Sequence, residues 1–163
     1  MPTAAKLQTT KNDLPYEVRQ NLVQRLNAVL AQSIDLAAQA KQAHWNVRGP
    51  NFFSLHELFD KAAGEISAFS DDLAERVVQL GGIAEGTIQA VGRASTLPEY
   101  PLDLTTGSGH VEAFSSALAA FGRTVRESID YAAKLNDADT ADLFTEISRA
   151  VDKLLWFLEA HQQ

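Results

Sequence analysis

The sequence contains no cysteine, which excludes thiol nucleophiles, disulfide staples and cysteine-ligated zinc or iron–sulfur centres. Positive charge is also scarce: 14 Lys and Arg stand against 21 Asp and Glu, a formal net charge of -7. A body that wraps nucleic acid needs a concentrated positive surface, so this balance argues against one and suits a protein that gathers cations. No stretch reaches the ~18 apolar residues that span a bilayer, and the opening MPTAAKLQTTKNDLPY lacks the apolar run of a secretory signal. The expectation is a cytoplasmic protein with no membrane partner. Sustained strand alternation is missing too, which leaves helical periodicity as the organising pattern.

At 163 residues the chain suits one domain with a sizeable core. The expected division is a flexible N-terminal tail, 1–14, and a single domain, 15–163. Pro15 suits the first turn of a helix carrying Val18, Leu22, Leu26, Val29, Ala37 and Ala40, which leaves through Asn46 to Pro50. A second helix is expected from Phe53 or Ser54 to Leu80, stopped by Gly81-Gly82. The pattern weakens from Ile83 to Gly109, a crossover expected to hold a short helix near Ile83 to Val91. A third helix is expected over His110 to Lys134 and a fourth from Asp139, as its N-cap, to Ala160. Two short connections flanking one long crossover describe an all-α fold, a ferritin-like four-helix bundle with a long middle crossover carrying a short helix. An up-down-up-down bundle with a decorated loop fits nearly as well.

Of only four histidines, His44 and His56 flank the predicted helix break, and carboxylates follow at Asp60, Asp71 and Glu75. Taking His56 as zero, the ideal helical step places Asp60 at about 40°, Asp71 at about 60° and Glu75 at about 100°. The apolar residues of this helix occupy another stripe, roughly 220° to 300°. Asp60 and Asp71 are nevertheless roughly 16 Å apart along the axis, too far for one ion. Between them the same face carries Gly64, Ser67 and Ala68, small enough to admit a second helix. An antiparallel copy across a two-fold axis near Glu65 and Ile66 brings His56 and Asp60 of one chain opposite Asp71 and Glu75 of the other, making two equivalent sites per dimer. His44 joins if the NVRGPN turn reverses the chain. Such a nitrogen and oxygen set suits Fe(II), Mn(II), Co(II) or Zn(II). The plainer reading makes Asp71 and Glu75 an ordinary solvated helix face and the histidines cap or interface groups.

The segment KQAHWNVRGPNFFSLHELFD followed by DDLAERVVQLGG closely resembles the signature of the Dps family, the DNA-protection-during-starvation miniferritins. PEYPLD and DADTADLFTEISRAVDKLLWFLE extend the likeness through nearly everything after the N-terminal tail. The Glu-x-x-His element of ferritins with an intra-bundle centre does not occur. The resemblance implies a homododecameric shell of four-helix bundles that oxidises Fe(II), preferentially with hydrogen peroxide and more slowly with dioxygen, and stores ferric mineral against oxidative damage. It assigns His44, His56 and Asp60 from one chain, and Asp71 and Glu75 from its two-fold mate, as the ferroxidase ligands at the dimer interface. It offers Trp45 as an oxidisable aromatic, against a hydrophobic wall; Trp156 has the same two readings. It implies an acidic iron-access pore at Asp137, Asp139 and Asp142, with Glu146 a weaker candidate. His110 and His161 have no partners in the signature and are left outside the site. Some family members bind DNA through lysine-rich tails; here only Lys6 and Lys11 are available, so DNA is the alternative partner and nucleoid association would depend on it. A structural oligomer, in which the polar stripe merely sets subunit register, is the third reading.

Overall fold

The computed structural model describes residues 6–163. Five helices follow one another: α1 (Tyr16–Asn46), α2 (Phe52–Gln79), α3 (Ile88–Ala94), α4 (Gly107–Lys134) and α5 (Ala138–Glu159). The α1–α2 and α4–α5 hairpins pack along their lengths, α1 meets α4 and α2 meets α5, and α3 lies on α1 in the crossover. Among the described residues there is no strand. The all-α four-helix bundle with a short crossover helix is therefore as expected. Its core interdigitates Leu22, Leu26, Phe59, Phe114, Phe121 and Phe144, all fully buried. Phe59 of α2 meets Phe114 of α4 edge to face, with centroids 5.7 Å apart, a favoured aromatic geometry.

Helix boundaries differ from expectation where a cap outweighed composition. Pro15 is the N-cap of α1 rather than a residue of its first turn. The crossover helix starts five residues later than expected, because Asn27 holds the preceding strand of chain extended through Ile83 O and Glu85 N. Thr87 then supplies the N-cap, accepting from Ala90 N–H. The α4 helix begins three residues before His110: Thr106 caps Gly109 N–H, so the glycines of GSG are helical. The N-cap of α5 is Asp137, not Asp139. The preceding helix closes on Asn136 in the left-handed region, φ 58, with Asp137 N–H returned to Ala132 O, as a short polar side chain at such a stop permits.

The expected tail, 1–14, falls partly on residues 1–5, which lie outside the described residues. From Leu7 onward the chain lies against the bundle. Leu7 is 7% exposed, and Gln8 N–H donates to Gly81 O at 2.7 Å. Glycine is required there: Gly81 has φ +87, and a Cβ would stand 2.7 Å from the Gln8 carbonyl oxygen. Arg19 seals the junction by donating to Leu14 O and Leu80 O.

One buried ion pair joins the hairpins. Arg76 near the end of α2 places its Nη2 3.0 Å from both oxygens of Asp137, which is 4% exposed. Desolvation is the largest influence on the Asp137 carboxyl and opposes ionisation, but hydrogen bonds from Thr140 and Arg76 together outweigh it and hold the group below the usual carboxylate range. A carboxyl depressed in the fold contributes stability above its unfolded pKa and loses it as pH falls through the folded value. Arg76→Ala leaves that carboxylate buried without its cation, so it should lower the unfolding free energy at neutral pH by about 3 kcal/mol, read by urea denaturation at fixed protein concentration. The penalty should shrink as pH is taken below 3.8, the ordinary value for the group; an equal midpoint for both proteins at pH 7 would remove the pair from the stability argument.

Candidate metal centre

The site begins where α1 must stop. Helix C-termini leave carbonyls without intrahelical donors, and Arg48-Gly49-Pro50 ends α1 with Gly49 at φ +108. The chain reverses within five residues and starts α2, bringing the first turn and a half of α2 beside the last turn of α1. His44 and His56 meet there, with rings stacked at 3.8 Å between centroids and 22° between planes. Each Nδ1 lies 2.8 Å from the other residue's backbone carbonyl oxygen. A carbonyl only accepts, so both Nδ1 atoms carry protons. In the neutral rings both Nε2 atoms therefore hold lone pairs. Backbone carbonyls of this kind orient metal-bound histidines. The spacing of the sequence could not choose between the two nitrogens; the reciprocal bonds do.

Asp60 follows one turn after His56 and is exposed. Its Oδ1 accepts from Lys41 Nζ at 2.7 Å, and that hydrogen bond is the main reason its pKa is lowered, with smaller effects of the same sign from the charge of Lys41 and from His44 and His56. Lys41 also stands 5.8 Å over the Trp45 ring, and Trp45 is 67% exposed. Lys41 is a neighbour of the site that the ligand pattern in the sequence does not single out. Its position three residues before His44 puts it on the same face of α1, a signal available in KQAH.

Asp71 and Glu75 lie farther along α2, both exposed, and neither makes an ion pair or side-chain hydrogen bond with another described residue. Between the two groups Gly64, Ser67 and Ala68 are exposed, and a Cβ placed on Gly64 would meet nothing within 4 Å. Among the described residues no three His, Asp or Glu side chains gather closely enough to hold one ion. A single chain thus presents an imidazole-rich half and a carboxylate half on one open face.

The expected pore residues separate. Asp139 and Asp142 are exposed on the first turns of α5, as is Glu146. Asp137, the third residue expected at the channel, faces inward, where its carboxylate pairs with Arg76 and caps α5 through Thr140. Lys6 and Lys11 are exposed, with Lys6 next to buried Leu7. His110, left outside the site, is fully enclosed near Tyr100. No helix among the described residues is long and apolar enough to cross a membrane.

Two long helix hairpins and a crossover, with imidazoles at the α1–α2 turn and carboxylates along α2, define a ferritin-like protein, and the ferritin-like domain family matches residues 23–163. A DNA protection during starvation protein of Agrobacterium fabrum is 44% identical over 158 residues, covering 97% of this chain and 98% of its own. Among solved structures, DpsC of Streptomyces coelicolor superposes with a TM-score of 0.92 at 30% identity, covering 97% of this chain and 92% of the other. A Dps of Microbacterium arborescens in a high iron form has a TM-score of 0.86 at 30% identity, covering 95% and 99%. The chain belongs to the Dps family of ferritin-like proteins.

The tautomer assignment is directly measurable. In the neutral, metal-free protein, ring ¹⁵N spectra of histidine-labelled material should show protonated Nδ1 and bare Nε2 for both His44 and His56, identified by single substitution. The opposite tautomer at either ring would break the reciprocal arrangement.

Proposed function

We propose that the protein is a ferroxidase and iron-storage miniferritin: a homododecamer in which His44, His56 and Asp60 of one subunit and Asp71 and Glu75 of its two-fold mate bind Fe(II), oxidise it preferentially with hydrogen peroxide, and deliver ferric iron to a mineral in the cytoplasm. The observation that carries the reading is the His44 and His56 pair, whose carbonyl bonds leave both Nε2 lone pairs free. The open face of Gly64, Ser67 and Ala68 supports the two-fold partner, since an antiparallel copy can approach closely there and the exchange of half-sites is reciprocal. Exposed Phe52, Phe53 and Val78 border the two halves and would be covered by that contact.

Two imidazole nitrogens with carboxylate oxygens suit ferrous iron, and the carboxylates also stabilise the ferric product. Two Fe(II) give up two electrons, which with two protons reduce one peroxide to two waters. Lys41 has to yield when a cation approaches Asp60, so its ammonium acts as a built-in competitor. Trp45, an exposed indole under Lys41, would serve as an oxidisable aromatic or, once a partner covers it, as a hydrophobic wall. Asp139 and Asp142 would draw Fe(II) toward a three-fold channel, where repeated carboxylates raise the local cation concentration. DNA binding through Lys6 and Lys11 is the lesser reading: the seat of Leu7 shortens the reach of Lys6, and the body is acidic.

Asp71→Asn combined with Glu75→Gln should slow peroxide-driven Fe(II) oxidation on the order of 100-fold while the shell still assembles by light scattering. Co-assembly of that variant with a His44→Ala/His56→Ala variant, each nearly inactive alone, should restore about one quarter of wild-type activity, since half of random pairs are mixed and each mixed pair holds one intact site of two. No recovery in verified mixed shells, or oxidation unaffected by the carboxylate changes, sinks the inter-subunit site.

Lys41→Met tests the competitor. Removing an exposed ion pair should tighten Co(II) binding, used as an air-stable probe, by roughly 2- to 5-fold. It should also move the acid limb of binding upward, because the Asp60 carboxyl returns toward 3.8. Weaker binding in the variant would instead make Lys41 a support for the site.

A further inference from the structure

His110 is a histidine that the proposed metal centre does not use, and it is only 2% exposed. Tyr100, also buried, holds one edge of its ring: the phenol oxygen stands 2.7 Å from His110 Nδ1 and has no other partner among the described residues. An imidazole nitrogen is a better acceptor than a phenol oxygen, so the phenol donates and Nδ1 accepts. Burial lowers the imidazole pKa and keeps the ring neutral. Its proton therefore sits on Nε2, a buried donor with no protein acceptor, and such a group is costly to leave unmet.

His110 lines a cavity of about 350 Å³ between the end of α1 and the crossover, together with Gln42, Asn46, Arg48 and Asp103. The volume is that of a small-molecule pocket. Tyr100 is not among its walls, so the Nδ1 edge of the ring is turned away and the Nε2 edge is the one left to the cavity. Other walls lack partners as well. Arg48 and Asp103 are exposed, and neither makes an ion pair or side-chain hydrogen bond with a described residue; the side-chain amide of Gln42 makes none either.

The chemistry of these walls selects an occupant. His110 Nε2–H and the Arg48 guanidinium only donate, which calls for an acceptor, and a guanidinium matches the paired oxygens of a carboxylate or phosphate. Asp103 narrows the choice, because its carboxylate repels a second negative charge but accepts from a hydroxyl. An oxyanion with one charge and one O–H meets all three groups. Acetate has no proton for Asp103, and sulfate brings two charges and no proton.

We infer that this cavity binds a small, singly charged oxyanion bearing a hydroxyl group, either a hydroxycarboxylate or dihydrogen phosphate. Its anionic oxygens accept from Arg48 and from His110 Nε2–H, and its hydroxyl donates to Asp103. Asn46 is the last residue of α1 and Arg48 follows it in the turn, so an occupant ties the end of the helix that carries His44 to the crossover. A ligand held only by the folded chain also stabilises it by mass action. The site requires no metal, and it stands or falls independently of the ferroxidase reading.

The test uses the metal-free, assembled full chain at pH 6, where phosphate carries mainly one charge. Calorimetric titration with glycolate and with phosphate should show saturable binding of at least one of them, with acetate and sulfate, their counterparts without a hydroxyl, weaker by about 10-fold. The tighter of the two probes identifies the source. Arg48→Gln should weaken that probe on the order of 10-fold, and Asp103→Asn should remove the preference by raising the affinity for acetate and sulfate. Both side chains are exposed and unpaired, so neither substitution removes a contact that the fold uses. Crystals soaked in arsenate, a heavier analogue of phosphate, should show anomalous signal between Arg48 and His110 if phosphate is the tighter probe. The proposal is overturned by the absence of saturable binding of either probe, by equal affinity for the hydroxyl-free counterparts, or by affinity unmoved in Arg48→Gln.

Discussion

A straight helix fixes both the rise and the rotation of its side chains, and that rigidity governs the arrangement on α2. His56 with Asp60 and Asp71 with Glu75 share a face, yet roughly 16 Å of helix axis lies between the groups. An ion reaches its ligands over only ~2 Å, so no single ion can touch both groups on one copy of the helix. The intervening face must then stay flat and open, which is the condition met at Gly64, Ser67 and Ala68. Of the three carboxylates on this face, Asp60 alone among the described residues is paired within the chain, with Lys41.

The imidazole half is built by the same contact that closes the α1–α2 hairpin. His44 O sits at a helix end, where no backbone donor follows, and His56 Nδ1–H takes that role. Each such bond contributes only about 1 kcal/mol net, but the two are reciprocal and fix both ring planes together. Folding the turn and presenting the two Nε2 lone pairs are therefore one event. Any change that loosens the Val47–Asn51 turn should disturb ligand geometry before it disturbs the core.

Much of this was legible in the sequence because it depends on periodicity. The core stripe of α2, the polar stripe beside it and the small-residue gap all follow from a fixed angular step, and the buried residues Leu55, Phe59, Ile66, Leu73 and Val77 are those the pattern selects. What depends on a single hydrogen bond was less visible. Asp137 and Asp139 offer the same chemistry at the head of α5, and only the left-handed Asn136 together with the Arg76 fork decides that the first is the cap. Likewise GSG reads as loop until Thr106 caps it. Tyr100 and His110 are ten residues apart across a loop-to-helix junction, a pairing that no helical or strand period encodes.

The two ends of α2 are held by different means toward one result. At the start, the histidine bonds set the rotation of the helix that presents His56 and Asp60. Near the end, Arg76 follows Glu75 by one residue, about 100° around the axis. Its guanidinium is anchored in buried Asp137, so Glu75 and Asp71 are presented about 100° and 140° around a fixed helix from it. Both halves are thus oriented by contacts within the chain before any partner arrives. A pre-ordered surface loses little side-chain and backbone freedom when it binds, so the free energy of subunit association need not be spent on arranging ligands. Protonation of Asp137 in acid would weaken that anchor at the carboxylate half alone, leaving the histidine bonds that set the other half in place.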